Sequence, residues 1–139
     1  MNKSWIANGF TAANALFGGL SIMMSISGEY HVAAICILIA MAADAFDGRV
    51  ARALGTAGPM GVELDSLSDD ISFGVAAGAL MYSYQLRELG AFGFIPCALL
   101  GAFCAFRLAR FNVKVTSVHG YFEGLPCPTV GVIIACYVL

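Results

Sequence analysis

Four aspartates stand in two helix-spaced pairs, Asp44/Asp47 and Asp65/Asp69, within a chain that is otherwise almost continuously apolar. Residues three or four apart share one helix face, so each pair projects from one side of its own helix. Ionisable side chains are costly in such surroundings and mark working sites. If the two helices are antiparallel neighbours, all four carboxylates converge on one pocket. Unneutralised, they repel one another. A hard divalent cation resolves the repulsion, and all-oxygen ligation suits Mg2+ or Mn2+ rather than zinc. Mg2+ is also commonly held by a few carboxylates together with the phosphates of a substrate. Gly48 and Ala51 lie one turn from the first pair, and Gly61 lies one turn before Asp65. Minimal side chains there let a ligand approach the helix backbone closely. Arg52 adds a fixed cation with bidentate geometry for phosphate or carboxylate. Glu63 and Asp70 are further acids in this stretch; Asp70 points about 100° away from Asp69, which suits a structural role better than ligation.

The elements that must carry these residues are membrane helices. The chain is 139 residues long, 60% hydrophobic and 12% charged, with a mean hydropathy of +0.83. A soluble domain carries roughly twice that charged fraction. A net charge of −2 invites no nucleic-acid partner. The five cysteines form no C-x-x-C pair and read as small apolar core residues rather than as a disulfide framework or zinc site.

Charge-free runs recur at Ser4–Gly28, Tyr30–Ala43, Ile71–Leu86, Leu89–Phe106 and Gly124–Leu139. The first is longer than the apolar region of a signal peptide and is read as a retained span. A helix needs about 20 residues to cross a ~30 Å hydrocarbon core. The second and third runs reach that length only if their helices continue through the aspartates, the second out to about Ala53 and the third from near Gly61. Gly55, Gly58 and Pro59 supply the turn between them. The acids then sit at one membrane face. The fifth run gives only about 24 Å of helix, and the expectation is a single domain over 1–139 truncated inside its fifth span. Of the seven Lys and Arg residues, all but Arg87 fall on one side of this topology, and Arg87 lies beside Glu29, His31 and Glu88. By the positive-inside rule, the N-terminus and the aspartates face the cytosol. Small residues at Gly18/Gly19, Ala33/Ala34, Gly74/Gly78 and Gly101/Ala105 allow close helix packing. His119, in the polar stretch 112–123, is expected to be solvated.

The spacing D-x2-D-G-x2-A-R-x8-G-x3-D-x3-D, from Asp44 to Asp69, resembles the signature of the CDP-alcohol phosphatidyltransferases at every fixed position. That resemblance implies an all-α polytopic membrane bundle with a six-helix core, of which about five spans are present here, and a homodimer. It implies transfer of a phosphatidyl group from a CDP-activated lipid to an alcohol with release of CMP. Asp44, Asp47 and Asp65 would be metal ligands, with Asp69 contributing to the site and serving as general base. Gly48, Ala51, Arg52 and Gly61 would line the cytidine-diphosphate site.

Strings outside the signature resemble the phosphatidylserine synthase branch of the family. They are Asn8-Gly-Phe-Thr11-Ala-Ala-Asn14, Leu64 to Gly74, Arg107-Leu-Ala-Arg-Phe-Asn112 and Gly124-Leu-Pro-Cys-Pro128. The branch implies CDP-diacylglycerol and L-serine as substrates, in the cell membrane. Serine carries a carboxylate, for which Arg107 and Arg110 would supply the cation, or they would hold lipid phosphate. Asn8 and Thr11 would hydrogen-bond nucleotide or phosphate. Ala7 and Ala77 stand where the branch commonly has proline. Two rivals remain: the same family with glycerol 3-phosphate or inositol phosphate as acceptor, and a cation transporter with intramembrane acids. The transporter does not account for Gly48, Ala51, Arg52 and Gly61, and an arginine beside the acids opposes cation passage.

Overall fold

The computed structural model of the protein describes residues 4–55, 58–115 and 126–139. Lys3, His119 and Gly124 lie outside these residues, as do the side chains of Ala7, Ala51, Arg52 and Lys114. The described residues are helical almost throughout, with no strand among them. Helix α1 spans Ser4–Ser27 and α2 spans Tyr30–Leu54. Helix α3 (Pro59–Asp69) passes without a break into a π-helical segment, Asp70–Val75, and then into α4 (Ala76–Tyr84). After a short 3-10 turn, Leu86–Leu89, come α5 (Ala91–Val115) and α6 (Cys127–Val138). The chain is thus five rods, each matching one charge-free run. The second and third do run through the aspartates, as the length argument requires.

Glycine sets the corners. At Gly28 (φ 85°) the α1 terminus closes with Glu29 N–H on the Met24 carbonyl at 2.9 Å and Gly28 N–H on Ser25 at 3.3 Å. This is a Schellman cap, and the left-handed backbone it needs is natural only to glycine. Gly55 (φ 62°) ends α2, and Gly58 with Pro59 at the first helical position starts α3. Both pairs of acids are therefore brought to one end of the bundle, beside the start of α1 and the end of α5.

The core is small-residue packing. Ala33, Ala34, Ile37 and Ala40 of α2 meet Phe73, Ala76, Ala77 and Leu80 of the third rod, and Ala135 and Val138 of α6. A Cβ on Gly131 would stand 2.7 Å from Phe73 Cδ1, and one on Gly78 would stand 2.7 Å from the Cys97 carbonyl oxygen. A Cβ on Gly74 would meet the Gly101 Cα at 3.2 Å. Close backbone approach of this kind is how helices associate where lipid gives them no hydrophobic drive. The π segment is the hub: Ser72 meets α1, Phe73 meets α6 and Gly74 meets α5. Gly19 and Ala105 take no part in this packing: nothing lies within 4 Å of a Cβ on Gly19, and Ala105 is exposed.

The outer surface is apolar. Phe92, Trp5, Phe106 and Phe103 are 80%, 77%, 75% and 66% exposed. So much exposed aromatic surface is stable against hydrocarbon, not water. Helices α1, α2 and α5 each contain a stretch long and apolar enough to cross a membrane. This is an integral membrane protein. The five cysteines are free thiols.

Candidate metal and substrate site

At the end of the bundle where α2 stops and α3 begins, a cavity of about 570 Å³ opens. Its lining joins Asp44, Asp47, Asp65 and Asp69 to Arg107 and Asn112 from α5 and Pro126–Pro128 at the start of α6. Asn8, Thr11, Gly48 and Gly61 complete the lining. One carboxylate oxygen from each of Asp44, Asp47 and Asp65 lies within 4.8 Å of the others. Asp69 stands outside that trio but lines the same cavity. Of the four residues expected as ligands, three form the cluster and the fourth sits at its margin.

Helix α1 braces the acids. Thr11 Oγ1 donates to Asp47 Oδ2 at 2.7 Å, and Asn14 Nδ2 donates to Asp69 Oδ1 at 3.1 Å. Asp47 and Asp69 are 5% and 8% exposed, so these bonds act where water competes little. Asp65 Oδ1 is buried with no hydrogen-bond partner among the described residues. An orphaned carboxylate oxygen is expensive to bury. Within a cluster of three acids it is the donor set that a hard, oxygen-seeking cation satisfies, so the residues fit a divalent metal.

The glycines divide by use. A Cβ added to Gly61 would meet only Asn8 Oδ1, at 3.8 Å, an ordinary contact. Gly61 therefore leaves room on the cavity side, where Gly78 and Gly131 serve helix packing. Arg107 lines the cavity and its Nη1 reaches Cys127 Sγ at 3.5 Å. Arg110 is exposed and is not among the lining residues, so the geometry brings only one of the two expected arginines to the site. The side chain of Arg52 lies outside the described residues. Asp70 heads the π segment, and its Oδ1 is buried beside Gly74 with no partner among the described residues. It is not part of the carboxylate trio.

Four polar residues acquire a place that their types alone do not suggest. Asn14 holds Asp69, Ser72 Oγ donates to the Asn14 carbonyl at 2.9 Å, and Asn112 Nδ2 donates to Ser66 Oγ at 3.0 Å. Asn14 continues the three-residue step of Asn8 and Thr11 along α1, which is the signal that could have singled it out. The partner of Asn112 is distant in sequence and leaves no such trace.

A membrane bundle whose helix ends gather three carboxylates, with a fourth and an arginine lining the same cavity, is an integral membrane protein with residues that could hold a metal ion. The chain belongs to the CDP-alcohol phosphatidyltransferase family, whose model it matches over residues 4–139. It is 38% identical over 133 residues to the CDP-diacylglycerol--serine O-phosphatidyltransferase of Helicobacter pylori, covering 95% of this chain and 56% of that protein. The Bacillus subtilis protein of the same description is 38% identical over 122 residues, 87% of this chain and 68% of the relative. The archaetidylserine synthase of Methanothermobacter thermautotrophicus is 40% identical over 128 residues, 91% of this chain and 54% of the relative. The chain thus spans little more than half the length of some of the relatives it matches. No solved structure matches it.

Proposed function

We propose that this protein transfers the phosphatidyl group of CDP-diacylglycerol to L-serine, giving phosphatidylserine and CMP. The observation that carries this reading is the carboxylate trio of Asp44, Asp47 and Asp65, with Asp69 at its margin, in a cavity that Arg107 also lines. The activities for which the relatives are named supply the acceptor.

Asp44, Asp47 and Asp65 hold the divalent cation, Mg2+ or Mn2+, with Asp69 contributing at its margin. When bound, such an ion stabilises negative charge on the pyrophosphate and on departing CMP. Thr11 fixes the orientation of Asp47. Asn8, Gly48, Gly61 and, by signature position, Ala51 and Arg52 accommodate the cytidine diphosphate. Asp69 takes the proton from the serine hydroxyl as its oxygen bonds to the phosphatidyl phosphorus and the bond to the CMP oxygen breaks. Arg107 faces the serine carboxylate or the lipid phosphate, and Arg110 draws anionic headgroups toward the cavity mouth. Residues 1–139 act as one domain, since all five rods share one core. The acidic end faces the cytosol in the cell membrane, in keeping with the cation bias, and the protein works as a homodimer by family resemblance.

The test is CMP release from CDP-diacylglycerol in detergent with Mn2+ or Mg2+, offering serine, glycerol 3-phosphate or inositol phosphate. Serine-dependent release that vanishes in Asp69→Asn supports the reading. Release driven by another alcohol keeps the chemistry and removes serine. Failure to bind CMP in the presence of metal removes the family reaction altogether.

A further inference from the structure

Asn14 follows Asn8 and Thr11 at a three-residue step along α1, one turn deeper in the bundle. It is fully buried and, unlike those two, is not part of the cavity lining. Its side-chain amide donates to Asp69 Oδ1 at 3.1 Å, while its backbone carbonyl accepts from Ser72 Oγ at 2.9 Å. Ser72 follows Asp69 by three residues, so Asn14 grips the third rod on both sides of the junction between α3 and the π segment. Gly18, one turn farther along α1, permits that approach: a Cβ there would collide with Ser72 Oγ and come within 2.9 Å of the Ser72 Cα.

Packing alone does not call for an amide here. The Asn14 Oδ1 is buried with no partner among the described residues, so the side chain carries a desolvation cost that a leucine of similar size would not. What the amide adds is a donor to one oxygen of a short side chain, which fixes the rotation of the carboxylate. Small errors in the placement of a reacting group cost about 100-fold in rate. We propose that Asn14 is a positioning residue: it holds the Asp69 carboxylate in the orientation that receives the proton of the acceptor hydroxyl. The proposal rests on the reading of Asp69 as the base.

The experiment compares Asn14→Leu, Asn14→Ala and Asp69→Asn in the full chain in detergent. It records kcat and KM for CDP-diacylglycerol, and CMP binding with Mn2+ as the measure of an intact site. A positioning role lowers kcat by about 10- to 100-fold in both Asn14 variants, the range typical of outer-shell partners, with KM and CMP affinity within about twofold of wild type. A packing role instead leaves Asn14→Leu near wild type and harms only Asn14→Ala; that result overturns the proposal. If one Asn14 variant loses CMP binding, the other is read by the same split between kcat and KM. Loss of CMP binding in both makes Asn14 a folding residue and also overturns it. Full turnover in Asp69→Asn removes the base reading itself, whereas an inactive Asp69→Asn beside a fully active Asn14→Leu removes only the positioning role.

Discussion

The carboxylates of the trio are equivalent by type but not by surroundings. Asp47 is braced by Thr11, and Asp65 carries an orphaned oxygen. Removing one charge from such a set weakens metal binding and turnover together. Asp65→Asn is expected to reduce CMP release by at least about 100-fold and to abolish saturable Mn2+ binding measured by electron paramagnetic resonance. Thr11→Val keeps the shape and removes the donor to Asp47. A hydrogen bond to a charged group contributes about 1.5–3 kcal/mol, so apparent Mn2+ affinity should fall roughly 10-fold or more while the protein remains folded. A variant with unchanged Mn2+ affinity would show that the Thr11 bond has no part in shaping the site.

Among the elements, the glycines offer the sharpest contrast. Gly131→Ala forces a methyl group against the Phe73 ring and backbone, with contacts of 2.7–3.1 Å. Overpacking of this kind costs about 1–3 kcal/mol, so Gly131→Ala should lower thermal stability in detergent and leave KM little changed. Gly61→Ala meets only Asn8 Oδ1 at 3.8 Å, so stability should hold while KM for the CDP-linked donor rises several-fold. Differential scanning fluorimetry and initial rates on the two variants separate these outcomes. The rods themselves were readable from charge-free runs, since span length and the Gly55–Pro59 turn leave few alternatives for α2 and α3. The trio was readable because helical spacing and antiparallel neighbours are both local inferences. Asn14, Ser72 and Asn112 were not, because their partners lie 55, 58 and 46 residues away and depend on how the rods pack. The π segment was equally hidden. Counting about 100° per residue along an unbroken α-helix puts Asp65, Asp69, Ala76 and Leu80 on one face, and nothing in their types announces the wider turn between them.

At the level of the whole molecule, metal and membrane each leave a readable mark. A ligand that binds only the folded state stabilises it by about 2.7 kcal/mol at one hundred times its dissociation constant. Mn2+ should therefore raise the unfolding temperature of the wild type and leave that of Asp65→Asn unmoved. Trp5 is the chain's single tryptophan, and it stands exposed at the same end of the bundle as the acids. Its fluorescence should be quenched more strongly by a nitroxide at the lipid headgroup than by one deep in the acyl chains; the reverse would place the acidic end within the bilayer. The π segment has a consequence for how this chain tolerates change in length. It works as a crankshaft between two journals, one aligned with the cavity and the other with the packed core. Deleting Ile71, a partly exposed residue inside it, lets the wide turn close to an ordinary α-helical one with α3 and α4 still facing as they do, whereas deleting the exposed Leu67 from α3 would turn Asp65 by about 100° against Asp69 and the core. The crank has one link to spare, and its journals have none.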